Sequence, residues 1–372
     1  MFRVENDCLW LFRYFCWDIF EYKFIKVLLK LTFFMVLFLT GLQTVVFLKK
    51  ADRHYFVQYQ PVYFGSSFIL LSIYSIPRMV KLMSASLESV PIWHIDSVGP
   101  IVERRLKFQS FYFHTVIIAN VVVSLLSGVL HAIPVEGDTE IFYTLAFFEE
   151  FFPAWKTYLC FFYRLGFIFL AVLMPAPFYL IIYASCHFLF QAIMGLEVLQ
   201  EINKIKAIKS NQFCQGRIKA LLIFCIKRHS LLNRVGYRIK NELKIFIFLF
   251  MVTCTVLFIC MMVFLLSFQG TFHGRYLRLA TLFFLAGVIF VHVFVLCQLI
   301  EDMSVKGFQV LQDSSWYDWS EENKKIYLIF LANIRNGFRL QVSPSLAVNY
   351  EMAVSMLKSV YSVLSLLGYM KR

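Results

Sequence analysis

Hydrophobic and polar positions along this chain segregate into long apolar blocks divided by charged ones, instead of alternating with the short periods of a soluble fold. Seven apolar stretches stand out, approximately over residues 27–48, 57–80, 111–132, 157–190, 244–269, 276–300 and 345–370. Each exceeds the roughly 20 residues that cross a hydrocarbon core as an α-helix. The first, VLLKLTFFMVLFLTGLQTVVFL, is closed by Lys49 and Lys50. The fourth carries Pro175 and Pro177, which a membrane helix tolerates with a bend. It also runs on through HFLFQAIMGLEVLQEINKIK, past what a bilayer needs, so its end is expected to project into water as an amphipathic helix. The pattern predicts an all-α membrane protein with seven transmembrane helices.

Composition agrees. The chain is 60% hydrophobic and 16% charged, against roughly 45–50% and about 25% for soluble domains. Its 43 phenylalanines exceed the needs of a soluble core. Residues 1–26 contain MFRVENDCLWLFRYFCWDIFEYK, where Glu5, Asp7, Asp18 and Glu21 interrupt any signal-peptide h-region. This stretch reads as a cytoplasmic amphipathic segment with Trp10 and Trp17 as interfacial anchors. The nine cysteines make no disulfide framework, since most fall in spans or basic loops.

Charge orients the bundle. The region between spans four and five carries Lys204, Lys206, Lys209, Arg217, Lys219, Lys227, Arg228, Arg234, Arg238 and Lys240. That between spans two and three adds Arg78, Lys81, Arg104, Arg105 and Lys107, whereas PVEGDTEIFYTLAFFEEFF between spans three and four is acidic. By the positive-inside rule the basic loops are cytoplasmic, giving an inverted topology with the N-terminus cytoplasmic and the C-terminus extracellular. That is the reverse of a G-protein-coupled receptor, whose NPxxY-like motif is also missing from the last span. Net charge +13 suits an anionic inner leaflet and requires no nucleic acid. No phosphate loop, nucleophile elbow, zinc-spaced His/Cys set or carboxylate dyad is present, so no enzyme, cofactor or metal is expected.

Residues 355, 359, 362, 366 and 369 are spaced four, three, four, three and share one helix face. They read Ser355, Ser359, Ser362, Leu366 and Tyr369. A hydroxyl stripe with one aliphatic ring suits a wet conduit gated by dewetting; equally, serines are small residues that let membrane helices approach. Lys358 sits mid-helix, seven residues after Glu351 on the same face, and reads either as a snorkelling, paired lysine or as part of a conduction path.

Over about residues 294–368 the chain resembles the insect odorant receptor family, through Cys297, Glu301, Ser304, Trp316-Tyr317, Lys324-Lys325 and the run Leu357-Lys358-Ser359-Val360-Tyr361-Ser362. The His187 to Gln191 helix end agrees more loosely, and Phe15-Cys16-Trp17-Asp18 stands where the family often has Gly-x-Trp-Pro. The resemblance implies an odour-tuning subunit of an odorant-gated, non-selective cation channel. Such a subunit detects small volatile apolar or aromatic molecules together with the odorant receptor co-receptor, as a heterotetramer in the plasma membrane of insect sensory-neuron dendrites.

On that resemblance the chain divides into the 1–26 segment, a six-helix ligand-binding bundle (27–300) with a long basic cytoplasmic loop (191–243), a cytoplasmic anchor region (301–344) bearing Trp316 and Tyr317, and a pore helix (345–372). Leu366 takes the gate position and Tyr369 the outer ring. The family's pocket lies in the outer half of the bundle, which points to Tyr63, Phe64, Ser67 and Phe68 in span two and Ser124, Ser127 and His131 in span three. Span four then offers Leu173, Met174 and Phe178, and span six Leu279, Phe283 and Phe284. Ordinary packing in a Phe-rich bundle is the competing reading of each. A gustatory receptor channel, which works without a co-receptor, and a secondary transporter are the alternatives; the absence of an internal repeat weighs against the transporter.

Overall fold

In the computed structural model the described residues are 7–50, 52–88, 98–205, 212–267, 273–335, 337–343 and 346–370; Tyr369 is helical, but its side chain lies outside the described set. The helices are α1 (Trp10–Cys16), α2 (Lys23–Lys50), α3 (Arg53–Glu88), α4 (Pro100–Ala132), α5 (Tyr143–Phe151), α6 (Lys156–Leu173), α7 (Ala176–Lys204), α8 (Gln212–Ser267), α9 (His273–Gln312), α10 (Glu321–Ile334) and α11 (Tyr350–Met370). A two-stranded antiparallel pair, β1 (Gln341–Ser343) and β2 (Leu346–Ala347), precedes α11.

Local chemistry sets the boundaries. Asp52 accepts from the His54 N–H at 2.9 Å as α3 begins, and Ser320 caps α10 by accepting from Asn323 N at 3.3 Å ahead of Glu321 and Glu322. Pro100 opens α4 after Gly99, which adopts φ 104°. The expected bend in span four is a break, because α6 stops at Leu173 and Pro175 precedes the first residue of α7.

Among the described residues six helices, or helix pairs in the case of α6–α7, are long and apolar enough to cross a membrane. Their lipid-facing character is visible in exposed Phe34, Phe38, Leu126, Phe162 and Phe248, and the chain is a membrane protein. The stretch 191–243, read from its charge as a loop, is helical for most of its length, α7 running to Lys204 and α8 starting at Gln212. At 56 residues α8 is about 84 Å long, far more than the ~30 Å of a hydrocarbon core. Its basic first half therefore extends past the membrane.

Two cores result. The larger is built on α7, whose Leu180, Tyr183, Cys186, Phe190 and Met194 are nearly inaccessible. The smaller lies at the basic end, where Leu199 and Ile202 of α7, Ile218 and Leu222 of α8, Leu311 of α9 and Tyr327 and Phe330 of α10 enclose Trp319. Trp316, expected in the anchor, stacks on Tyr327 at 5.7 Å, while Tyr317 is exposed. The buried tryptophan of this region is Trp319, 2% exposed.

The N-terminal segment is drawn into the larger core. Trp10 is exposed, whereas Trp17, expected as a second interfacial anchor, is buried edge-on against Tyr183. Asp7 anchors the segment: it accepts from Tyr183 Oη at 2.6 Å and from Leu9 N at 2.9 Å, and its Oδ1 lies 3.2 Å from His187 Nε2. Burial pushes the Asp7 carboxyl up, but His187 together with the two donors holds it down to about 2.

Candidate functional site: an apolar cavity under a charged rim

A cavity of about 210 Å³ opens where α2, α3, α4, α6, α8 and α9 converge at the end of the bundle away from the basic extensions. Met35 and Leu39 of α2, Ile69 of α3, Phe167 and Leu170 of α6, Leu257 and Met261 of α8 and Leu282 of α9 form its apolar walls. Gln43, Ser127, His131, Thr144, Tyr163 and Arg278 supply the polar spots. An apolar concavity with a few convergent polar groups is the usual form of a small-molecule site.

Small residues make the room. Gly128 sits where α4 and α6 touch: a Cβ there would meet Ile168 Cα at 2.7 Å and the Phe167 carbonyl oxygen at 3.1 Å. Gly65 and Gly166 line the cavity with nothing within 4 Å of an added Cβ. The Met174–Pro175 break turns the chain from α6 into α7, leaving Met174 on the wall.

The rim is a buried charge cluster. Arg278, at the start of α9, donates through Nη1 to Asp138 Oδ1 at 2.7 Å, through Nε to the Leu130 carbonyl at 2.8 Å and through Nη2 to the Ile133 carbonyl. Asp138 Oδ2 accepts from Val135 N at 3.0 Å and lies 3.2 Å from Arg164 Nη2 on α6. The side chains of Arg278 and Asp138 are only 5% and 3% exposed. One carboxylate thus ties α6, α9 and the turn after α4 together over the cavity mouth.

Of the residues expected in a pocket, Ser127, His131, Met174 and Leu279 line this cavity. Phe68 and Phe178 stack at 6.0 Å and both pack on Phe250, an aromatic core unit of their own. The Tyr63 hydroxyl pairs with Thr44 Oγ1 at 3.0 Å, Phe64 packs edge-on to Tyr63, and Ser67 bonds back to the Tyr63 carbonyl. Ser124 and Leu173 are 1% exposed within the bundle. Phe283 contacts Phe258, and Phe284 points outward at 57% exposure. Residue-type reasoning omitted the α2, α6 and α8 walls and Arg278. A signal for Arg278 existed, an arginine at the edge of an apolar span with an acidic loop to meet it.

The face of α11 bearing Ser355, Ser359, Ser362 and Leu366 is uncovered in the single chain, Leu366 at 60% exposure. Ser359 and Ser362 hydroxyls donate to the Ser355 and Lys358 carbonyls of their own helix. The opposite face, Met352, Ala353 and Val360, is buried where α11 packs on α8 and α9. Glu351 and Lys358 are both exposed and form no ion pair with one another.

The sequence profile described as 7tm Odorant receptor matches residues 100–361. The chain belongs to the odorant receptor family. Its fold agrees with the structure of the insect olfactory receptor OR5 from Machilis hrabei, with a TM-score of 0.75 at 8% identity, covering 97% of this chain and 96% of that one. The same receptor in complex with eugenol gives a TM-score of 0.73 at 8% identity, over 99% and 97% of the two chains. Among curated proteins none matches this odorant receptor chain in sequence. At such low identity the fold is shared while individual pocket residues are this chain's own.

Proposed function

We propose that this odorant receptor is an odour-tuning subunit of an odorant-gated, non-selective cation channel, assembled with the odorant receptor co-receptor as a heterotetramer in the plasma membrane of sensory-neuron dendrites. The N-terminus and the basic extensions of α7 and α8 face the cytoplasm, and α11 is the seventh span, directed outward as the pore helix. The observation that carries the reading is the apolar cavity of about 210 Å³ between α2, α3, α4, α6, α8 and α9. A related fold described in complex with eugenol supports a small aromatic volatile as the ligand class.

Ligand size follows from arithmetic. About ten heavy atoms at about −0.3 to −1.5 kcal/mol each bring affinity into the micromolar range, where −8.2 kcal/mol is 1 μM. Gating requires tighter binding to the open state, since equal affinity shifts nothing. The same helices that wall the cavity, α8 through Met261 and α9 through Leu279, pack against α11. Odorant packing against them biases the position of α11, and the exposed Leu366 is the dewetting gate. The test is whole-cell recording from cells expressing the chain with and without the co-receptor under a broad panel of volatiles. Odour-evoked cation current with the co-receptor is expected; silence under both conditions in surface-labelled cells overturns the channel reading.

A further inference from the structure

His131 sits on the last turn of α4, inside the cavity, 5.9 Å from the Phe167 ring. Its Nδ1 lies 2.7 Å from the carbonyl oxygen of Ser127 on the same helix. A carbonyl oxygen can only accept, so Nδ1 carries the ring proton. In the neutral ring the second nitrogen, Nε2, is then an acceptor. Among the described residues no hydrogen bond satisfies that Nε2. Arg278, the strongest donor on the cavity wall, does not supply one: its hydrogen bonds run to Leu130, Asp138 and Ile133.

We propose that His131 is the polar selector of the cavity, its Nε2 accepting a hydrogen bond from the hydroxyl of phenols and alcohols and so favouring them over the matching hydrocarbons and ethers. The inference rests on the reading of the cavity as the odorant site and adds a chemical class to it. Apolar walls bind the body of any volatile of suitable size. The unmatched acceptor separates members of that set, because a hydrocarbon leaves it dry and unpaired while a hydroxyl satisfies it.

The test is a set of shape-matched pairs in which a hydroxyl replaces a methyl group, p-cresol with p-xylene, benzyl alcohol with ethylbenzene and 1-hexanol with heptane. Each is applied to cells expressing the chain with the co-receptor, and p-cresol is also compared with its methyl ether. The hydroxyl member of any active pair is expected to be on the order of tenfold more potent, a difference of about 1.4 kcal/mol. His131→Phe should abolish the gap within each active pair, and His131→Gln, which keeps an acceptor, should restore part of it. Equal potency within pairs on the unsubstituted receptor overturns the proposal without needing any variant. So does a gap that survives in His131→Phe. Absence of response to every volatile is the separate result that removes the odorant-site reading itself.

Discussion

Asp138 is the residue whose loss should cost the cavity most. Its carboxylate is 3% exposed and faces two guanidinium groups, Arg278 at 2.7 Å and Arg164 at 3.2 Å. Replacing it with alanine leaves Arg278, itself 5% exposed, as a buried cation without a counter-charge, and such a break costs about 3–5 kcal/mol. Asp138→Asn keeps an oxygen acceptor but loses the charge, and removing a hydrogen bond to a charged group costs about 1.5–3 kcal/mol. The pair Asp138→Leu with Arg278→Met removes the more buried ion pair and leaves Arg164, 17% exposed, as the one cation without its partner, so it should be milder than Asp138→Ala alone. The assay is thermal loss of the monodisperse, fluorescently tagged receptor in detergent, paired with surface labelling. The order expected is unsubstituted, then the double variant, then Asp138→Asn, then Asp138→Ala. If Asp138→Ala melts with the unsubstituted chain, the charge cluster does not hold the rim.

Three further outcomes follow from the geometry. Gly128→Val should block surface expression, because the added Cβ lands 2.7 Å from Ile168 Cα, a backbone atom that cannot step aside; normal surface labelling contradicts the close packing of α4 on α6. Leu366→Ser should raise current in the absence of odorant by wetting the gate, and unchanged basal current in surface-expressed channels removes Leu366 from that role. The folded Asp7 carboxyl is held at about 2 against an ordinary 3.8, so its stabilisation is present above about 3.8 and lost as pH falls through about 2. Asp7→Asn should therefore lower stability by about 2 kcal/mol near pH 5, at 1.36 kcal/mol per pKa unit. A variant as stable as the unsubstituted chain at that pH contradicts the assigned state of Asp7.

Membrane character and the helical content were legible from block length alone, since crossing a bilayer demands long apolar runs whatever the tertiary structure. A distortion at Pro175 was legible too, because proline lacks the N–H an unbroken helix needs, but it was expected as a bend and is a break between α6 and α7. The second core at the basic end was not. Trp319 and Tyr327 are buried only because α7, α8, α9 and α10 meet there, and the charged helices that surround them read as a solvated loop in one dimension. Within the cavity, His131 and Ser127 were visible as polar residues on one face of an apolar helix. Phe68 and Phe178 were indistinguishable from pocket residues until the ring of Phe250 was placed against them. Aromatic side chains pack with each other as readily as with a ligand, and residue type alone does not separate the two. The α2 and α6 walls escaped notice because lipid-facing and cavity-facing apolar residues look alike in sequence.

The central claim is that odorant occupies the cavity, and Gly65 and Gly166 allow it to be filled without disturbing the fold. An added Cβ at either meets no atom within 4 Å, and both residues line the open space. Leucine at a helical glycine also removes a backbone-entropy cost of up to about 1 kcal/mol, so folding should not suffer. The decisive measurement is the dose–response curve of Gly65→Leu and Gly166→Leu, expressed with the co-receptor, to volatiles that activate the unsubstituted chain. The prediction is a loss of potency of at least about tenfold, a penalty of about 1.4 kcal/mol, at unchanged surface level. Dose–response curves that superimpose on those of the unsubstituted receptor would place the odorant elsewhere.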